Sequence, residues 1–119
     1  GGQFGLCDVA PDSPVARWLN EFVNEHNPSG HDGRFIAQTR IEALLRETGY
    51  VDVHTGIESV PWHFAHDADL LRFFAGLFGL QCEPSTIAHG IATYFDVDRS
   101  DGGVTVDWEL IYARARKPA

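Results

Sequence analysis

The C-terminal run Val104-Thr105-Val106-Asp107-Trp108-Glu109-Leu110-Ile111-Tyr112-Ala113-Arg114-Ala115-Arg116-Lys117 constrains the fold most, because it reads as one long closing strand. Asp101-Gly102-Gly103 turns the chain into it. At the other end, Gly1-Gly2-Gln3-Phe4-Gly5-Leu6-Cys7-Asp8-Val9-Ala10-Pro11 reads as a glycine turn feeding a second strand. Phe4, Leu6, Cys7 and Val9 form a short, nearly continuous apolar run there. Such a run fits a strand buried on both faces, as in a covered parallel sheet.

Helices and one further strand fill the space between. Ser13 followed by Pro14 is a helix start, and Val15, Trp18, Leu19 and Phe22 give that helix one core-facing stripe. Asn27 to Gly33 is dense in turn residues and reads as a loop. A second helix is expected from Phe35 to Thr48, with Ile41, Leu44 and Leu45 inward and Gly49 ending it. Val51, Val53, Thr55 and Ile57 alternate with Asp52, His54 and Glu58, a strand signature that Pro61 closes. Asp67 can cap a third helix that ends at Gly79, and a fourth begins near Pro84. The order is strand, helix, helix, strand, helix, helix, strand, an α/β class, or α+β when taken as an isolated piece.

The chain has 119 residues, which suits a single domain spanning 1–119. Its formal net charge of -8 disfavours a nucleic-acid backbone or an anionic membrane as partner, since both reward Lys and Arg. Arg114, Arg116 and Lys117 are the one basic cluster and read as a solvated terminus. Cys7 and Cys82 lie far apart in contexts that look buried, without CxxC spacing, so a reduced, cytoplasmic protein is expected. No run approaches a membrane-spanning length. The chain contains no Met, so it is expected to be a piece of a larger protein.

Several passages resemble the class I, Rossmann-like, S-adenosylmethionine-dependent methyltransferases from their fifth strand onward. Gly1-Gly2-Gln3-Phe4 resembles the turn into strand five, and Leu44 to Val53 resembles the helix, Gly-aromatic and strand-six passage. Val104 to Arg116 resembles strand seven. Leu77-Phe78-Gly79-Leu80 is similar to a stretch of the helical insertion that roofs the methyl-acceptor pocket in that family. The resemblance implies a three-stranded mixed sheet, ordered first-third-second with the last strand antiparallel in the middle, and about four helices. It also implies that residues 61–96 are a helical insertion. The chain departs from the family in having no G-x-G-x-G loop and no acidic ribose-binding residue after a second strand. S-adenosylmethionine is therefore expected in the complete protein and not on this chain alone, which is expected to be inactive without a partner.

On that resemblance the chain is the substrate-side portion of an enzyme that methylates a small molecule. Asp8 and Pro11, just past the first strand, should then face the active-site crevice. His31 is a candidate base and Arg34 a clamp for an acceptor carboxylate, on a loop over the pocket. Trp62 and Phe64 would shape an apolar slot, with His63 as its polar contact. Phe73, Phe74, Leu77 and Phe78 span too wide an arc for one core stripe, so Phe78 is open to a core role or a pocket role. His66 reads as a residue near a helix N-terminus. His63 with His66, and His31 with Asp32, offer no third ligand by spacing, so no metal is expected. The alternative is a non-catalytic binding or dimerisation module. It would use an exposed edge of the first strand or the aromatic insertion, as a homodimer or beside a cofactor-binding subunit.

Overall fold

The computed structural model describes residues 1–100 and 102–119, so Asp101 of the expected glycine turn lies outside the described residues. Strand β1 (Gln3–Asp8) leads into one continuous helix, α1, over residues 14–26. Ser13 caps it as expected: its Oγ accepts from Ala16 N at 3.1 Å, and Pro14 takes the first helical position. The middle of α1, Trp18–Val23, is π-helical, between α-helical Pro14–Arg17 and Asn24–His26. Then follow α2 (Gln38–Glu47), β2 (Val51–Ser59), β3 (Trp62–Phe64), α3 (Asp67–Phe78) and α4 (Pro84–Tyr94). Strands β4 (Val97–Asp98), β5 (Val104–Val106) and β6 (Glu109–Arg116) close the chain. Gly79 ends α3 at φ 60°, in the left-handed region that glycine enters without a Cβ clash.

Two three-stranded sheets form, ordered β1-β6-β2 and β3-β5-β4. In the first, β6 lies between β1 and β2 and runs antiparallel to both. The expected order, with the last strand antiparallel in the middle, is that of the first sheet; the expectation of a single sheet is corrected, because a second exists. The long closing strand is also corrected, because it is interrupted at Asp107-Trp108 and its two parts join different sheets.

A change of second neighbour supplies the physical reason: β1 ends opposite Ile111, and β4 takes over from Val106. The β2–β6 register carries through the interruption without slip: Ser59 faces Glu109 and, three residues on along each strand, Trp62 faces Val106. Val60 N still donates to Trp108 O at 2.6 Å. Pro61 comes next, opposite Asp107, at a non-hydrogen-bonded position where its missing N–H costs this ladder nothing; Asp107 N likewise points away and donates to Asp96 O at 3.2 Å. One antiparallel ribbon thus runs on in register while its outer partner changes from β1 to β4. Residues 61–96 consequently hold β3 as well as two helices, so the expectation of a purely helical insertion is corrected.

The molecule has two cores. The larger gathers Val15, Trp18, Phe22, Leu70, Phe74, Ile87, Ile91, Phe95, Val106 and Trp108 from α1, α3, α4 and the small sheet. The smaller packs Ile41 and Leu45 of α2 on Ile111, Ala113 and Ala115 of β6, with Phe4 and Leu6 alongside. Only this face of the β1-β6-β2 sheet is covered. On the other face Gln3, Gly5, Cys7, His54, Arg114 and Arg116 are exposed, so β1 is not buried on both faces and Cys7 is not a buried thiol. Ile57, on the apolar side of the β2 alternation, is 54% exposed. The Cα radius of gyration is 17.0 Å, against about 13.5 Å for a compact domain of this length. No described helix is long and apolar enough to cross a membrane.

Candidate functional site

A cleft of about 240 Å³ opens at the carboxyl end of β1. The strand leaves the sheet through buried Val9 and Ala10, and Asp8 turns its carboxylate back to accept Val9 N at 2.7 Å. Pro11 and Asp12 form the corner, where Asp12 takes φ 60°, a left-handed conformation uncommon outside glycine and tolerated by Asp. Helix α1 supplies Ala16, Arg17, Asn20 and Glu21 as one wall, and the following loop supplies Gly33 and Phe35.

The π-helical segment gives α1 two different sides. Inward, Trp18 is fully buried, stacked on Phe22 at 4.4 Å and edge-on to Phe74 and Phe78. Outward, Asn20 and Asn24, four residues apart, grip the loop. Asn20 Nδ2 donates to Gly33 O at 2.8 Å, while its Oδ1 accepts Gly33 N at 2.8 Å and lies 2.9 Å from His31 Nδ1. Asn24 Oδ1 accepts His31 N at 2.9 Å. Asn27 adds a third tie, donating from Nδ2 to Phe78 O at 2.8 Å. Within the helix, π-type turns are rare and recur at functional positions. On the same wall Tyr94 donates its hydroxyl to Glu21 Oε1 at 3.2 Å; burial first, then the Glu21 carboxylate, raises the phenol above its usual range.

The residues singled out from the sequence fall into two groups. Pro11 lines the cleft, Asp8 ends β1 before the corner and is not among the lining residues, and half-buried His31 stands beside the lining residues Gly33 and Phe35. Arg34 is on the same loop and exposed. Trp62, Phe64 and Phe78 belong instead to the aromatic layer. Trp62 stacks on Trp108 at 4.2 Å, Phe64 tilts onto Phe73 at 5.5 Å, and Phe78 stacks on Trp108 at 5.9 Å. His63 points away on β3, with Nδ1 3.0 Å from Thr105 Oγ1, and lines none of the cleft. His66 is the residue at the N-terminal cap of α3. No group of three or more His, Cys, Asp or Glu that could hold a metal comes together among the described residues.

Sequence reasoning missed Asn20, Asn24, Arg17 and Glu21. A signal existed in the asparagines: Asn is a poor residue for a helix interior, and two of them at i, i+4 invite a reason outside the helix.

No protein-family model matches the sequence, and no curated protein matches it. In three dimensions the chain is similar to the crystal structure of a "putative methyltransferase" from Bacillus halodurans C-125, with a TM-score of 0.51 and 19% sequence identity. The match covers 100% of this chain and 52% of that one, so the chain spans about half the length of that protein. At this identity the likeness concerns the backbone, and what it establishes is that this chain has a methyltransferase-like fold.

Proposed function

We propose that this chain is the substrate-side portion of an S-adenosylmethionine-dependent methyltransferase, with the cleft between the β1 corner and the 27–37 loop receiving part of a small-molecule acceptor. The observation that carries this reading is the seating of β6 antiparallel between β1 and β2, in a chain alike in fold to about half of a methyltransferase. The cleft's position supports it, since ligands of open α/β sheets sit beyond the carboxyl ends of strands. The uncovered sheet face and the extended shape support a partner half alongside.

S-adenosylmethionine does not fit this cleft. The turn after β1, Val9 to Ser13, contains no glycine for close backbone approach to a ligand. The cleft of about 240 Å³ is below the range of roughly 300–1,000 Å³ usual for sites enclosing a drug-sized ligand. The cofactor is accordingly assigned to the partner half.

Calorimetric titration of S-adenosylhomocysteine tests this division. This chain alone should give no binding heat, and a polypeptide carrying it behind a glycine-rich half should bind at micromolar levels or tighter. Tight binding to the chain alone would overturn the division of labour; no binding to either would overturn the methyltransferase reading.

A second reading rests on β1. Among the described residues it pairs with β6 on one side only, and its Gln3–Asp8 run carries neither Lys nor Pro to blunt the open edge. A non-catalytic module that dimerises or takes a partner subunit through that edge would have a solution mass above that of the single chain, with no methyl transfer in any assembly.

A further inference from the structure

We propose that Asn20 is a positioning residue that holds the His31 ring as its Nδ1–H tautomer, leaving Nε2 with a free lone pair to take a proton from a hydroxyl or amine group bound in the cleft. This rests on the reading of the cleft as an acceptor site.

The orientation of the Asn20 amide is fixed by backbone, independently of the histidine. Its Nδ2 meets the Gly33 carbonyl at 2.8 Å and its Oδ1 meets the Gly33 N–H at 2.8 Å. A flipped amide would set NH₂ against N–H and oxygen against carbonyl, losing both bonds. The atom 2.9 Å from His31 Nδ1 is therefore an oxygen that can only accept, so Nδ1 carries the proton. In the neutral ring Nε2 is then the unprotonated nitrogen, and it makes no hydrogen bond among the described residues. The ring cannot readily turn away. Its backbone N–H is held by Asn24 Oδ1 at 2.9 Å, and it stacks at 20° to Phe35. Gly33 leaves no slack, since a Cβ there would lie 2.9 Å from His31 Cε1 and 2.8 Å from Phe35 Cζ. A base needs its lone pair presented in a defined direction, and hydrogen bonding at the opposite nitrogen is the ordinary way to secure that. On proton transfer Nε2 gains the N–H, and Asn20 Oδ1 goes on accepting from Nδ1 of the resulting imidazolium.

The tautomer is read by ¹⁵N–¹H correlation across the His31 ring in this chain, above the pH at which the ring protonates. The expected spectrum is Nδ1–H with unprotonated Nε2. Asn20→Asp keeps an acceptor oxygen and should keep the tautomer, whereas Asn20→Ala should give the tautomer mixture of an unconstrained ring. Asn24→Ala removes only the backbone tie and should leave the tautomer as in the unmodified chain. An Nε2–H spectrum in the unmodified chain, or an unchanged tautomer in Asn20→Ala, would overturn the assignment. If Asn20→Ala does not fold, the unmodified and Asn20→Asp spectra still decide it. In the complete enzyme, His31→Gln should lower kcat about 10²-fold or more with little change in KM; unchanged kcat would overturn the proton-accepting role. The expected tautomer in a complete protein that transfers no methyl group would support the Asn20 assignment and overturn only the methyltransferase reading.

Discussion

The aromatic lobe and the sheet lobe are built on opposite economies of packing. Around Trp18, rings from α1, α3, β3 and the residues flanking β5 lie face-on or edge-on to one another, and Trp18, Phe74 and Val106 are fully buried. In the sheet lobe a single helix covers one face, and three of its six buried residues, Ala10, Ala113 and Ala115, are alanines. Among the described residues its other face is open and its β1 edge unpaired. The aromatic lobe resembles a finished core; the sheet lobe resembles half of one. Whatever the chain binds, the sheet lobe has the larger surface left to give.

Removing the centre of the aromatic lobe should do the most damage. Trp18→Ala deletes the fully buried ring that meets Phe22, Phe74, Phe78, Tyr94 and Phe95, and should cost about 3–5 kcal/mol in denaturant unfolding. Trp18→Phe should cost much less. Trp18 Nε1 is buried without a hydrogen-bond partner among the described residues, so the phenyl ring gives up area but also removes a desolvated donor. If Trp18→Phe were as damaging as Trp18→Ala, the indole itself, and not the volume it fills, would be setting the stability of this lobe.

The two lobes also differ in how much of them is legible in sequence. Ser13-Pro14 and Gly79 mark helix ends because caps and left-handed turns need those residues locally, and both features stand where they were expected. The β1-β6-β2 order came through resemblance to a family, not through periodicity. Strand β3 went unseen because Trp62–Phe64 is three residues long and follows a proline, and its pairing with β5 is a long-range fact. Ile57 misled in the other direction: it alternates correctly along β2, but burial needs a covering element, and only α2 covers that face. In the cleft, Pro11 and His31 were within reach of sequence reasoning because turns and histidines announce themselves. Asn20 offered only its spacing from Asn24 as a signal, since its meaning lies in a loop thirteen residues away and in a π-helical turn.

Ile111→Ala probes the sheet lobe in the same way and should cost less, about 2 kcal/mol, at the low end for such a truncation. Ile111 is 1% exposed, but its neighbours on the covered face of β6 are alanines with few contacts to lose. Fluorescence and far-ultraviolet circular dichroism separate the lobes, because Trp18, Trp62 and Trp108 all sit in the aromatic one. The β2–β3 and β5–β6 ribbon runs through both lobes, so the two probes should report one transition. Ellipticity lost ahead of fluorescence in Ile111→Ala would mean that the interruption at Pro61 uncouples the lobes.

The smallest effect is expected at Ile57, and it sharpens the comparison most. Ile57 stands opposite Ile111 in the β2–β6 ladder yet is 54% exposed, an apolar side chain at the rim of the unfinished lobe. In a monomeric chain Ile57→Thr keeps a β-branched residue in the strand and removes little buried area, so stability should move by no more than about 0.5 kcal/mol. If the sheet lobe instead buries its rim against a second copy or a partner half, Ile57 becomes interface, and the substitution should weaken that assembly. Unfolding measured at two chain concentrations separates the cases: concentration-independent midpoints mean a solvated rim. A midpoint that rises with concentration, and rises less in Ile57→Thr, would place Ile57 in the surface that completes the sheet lobe.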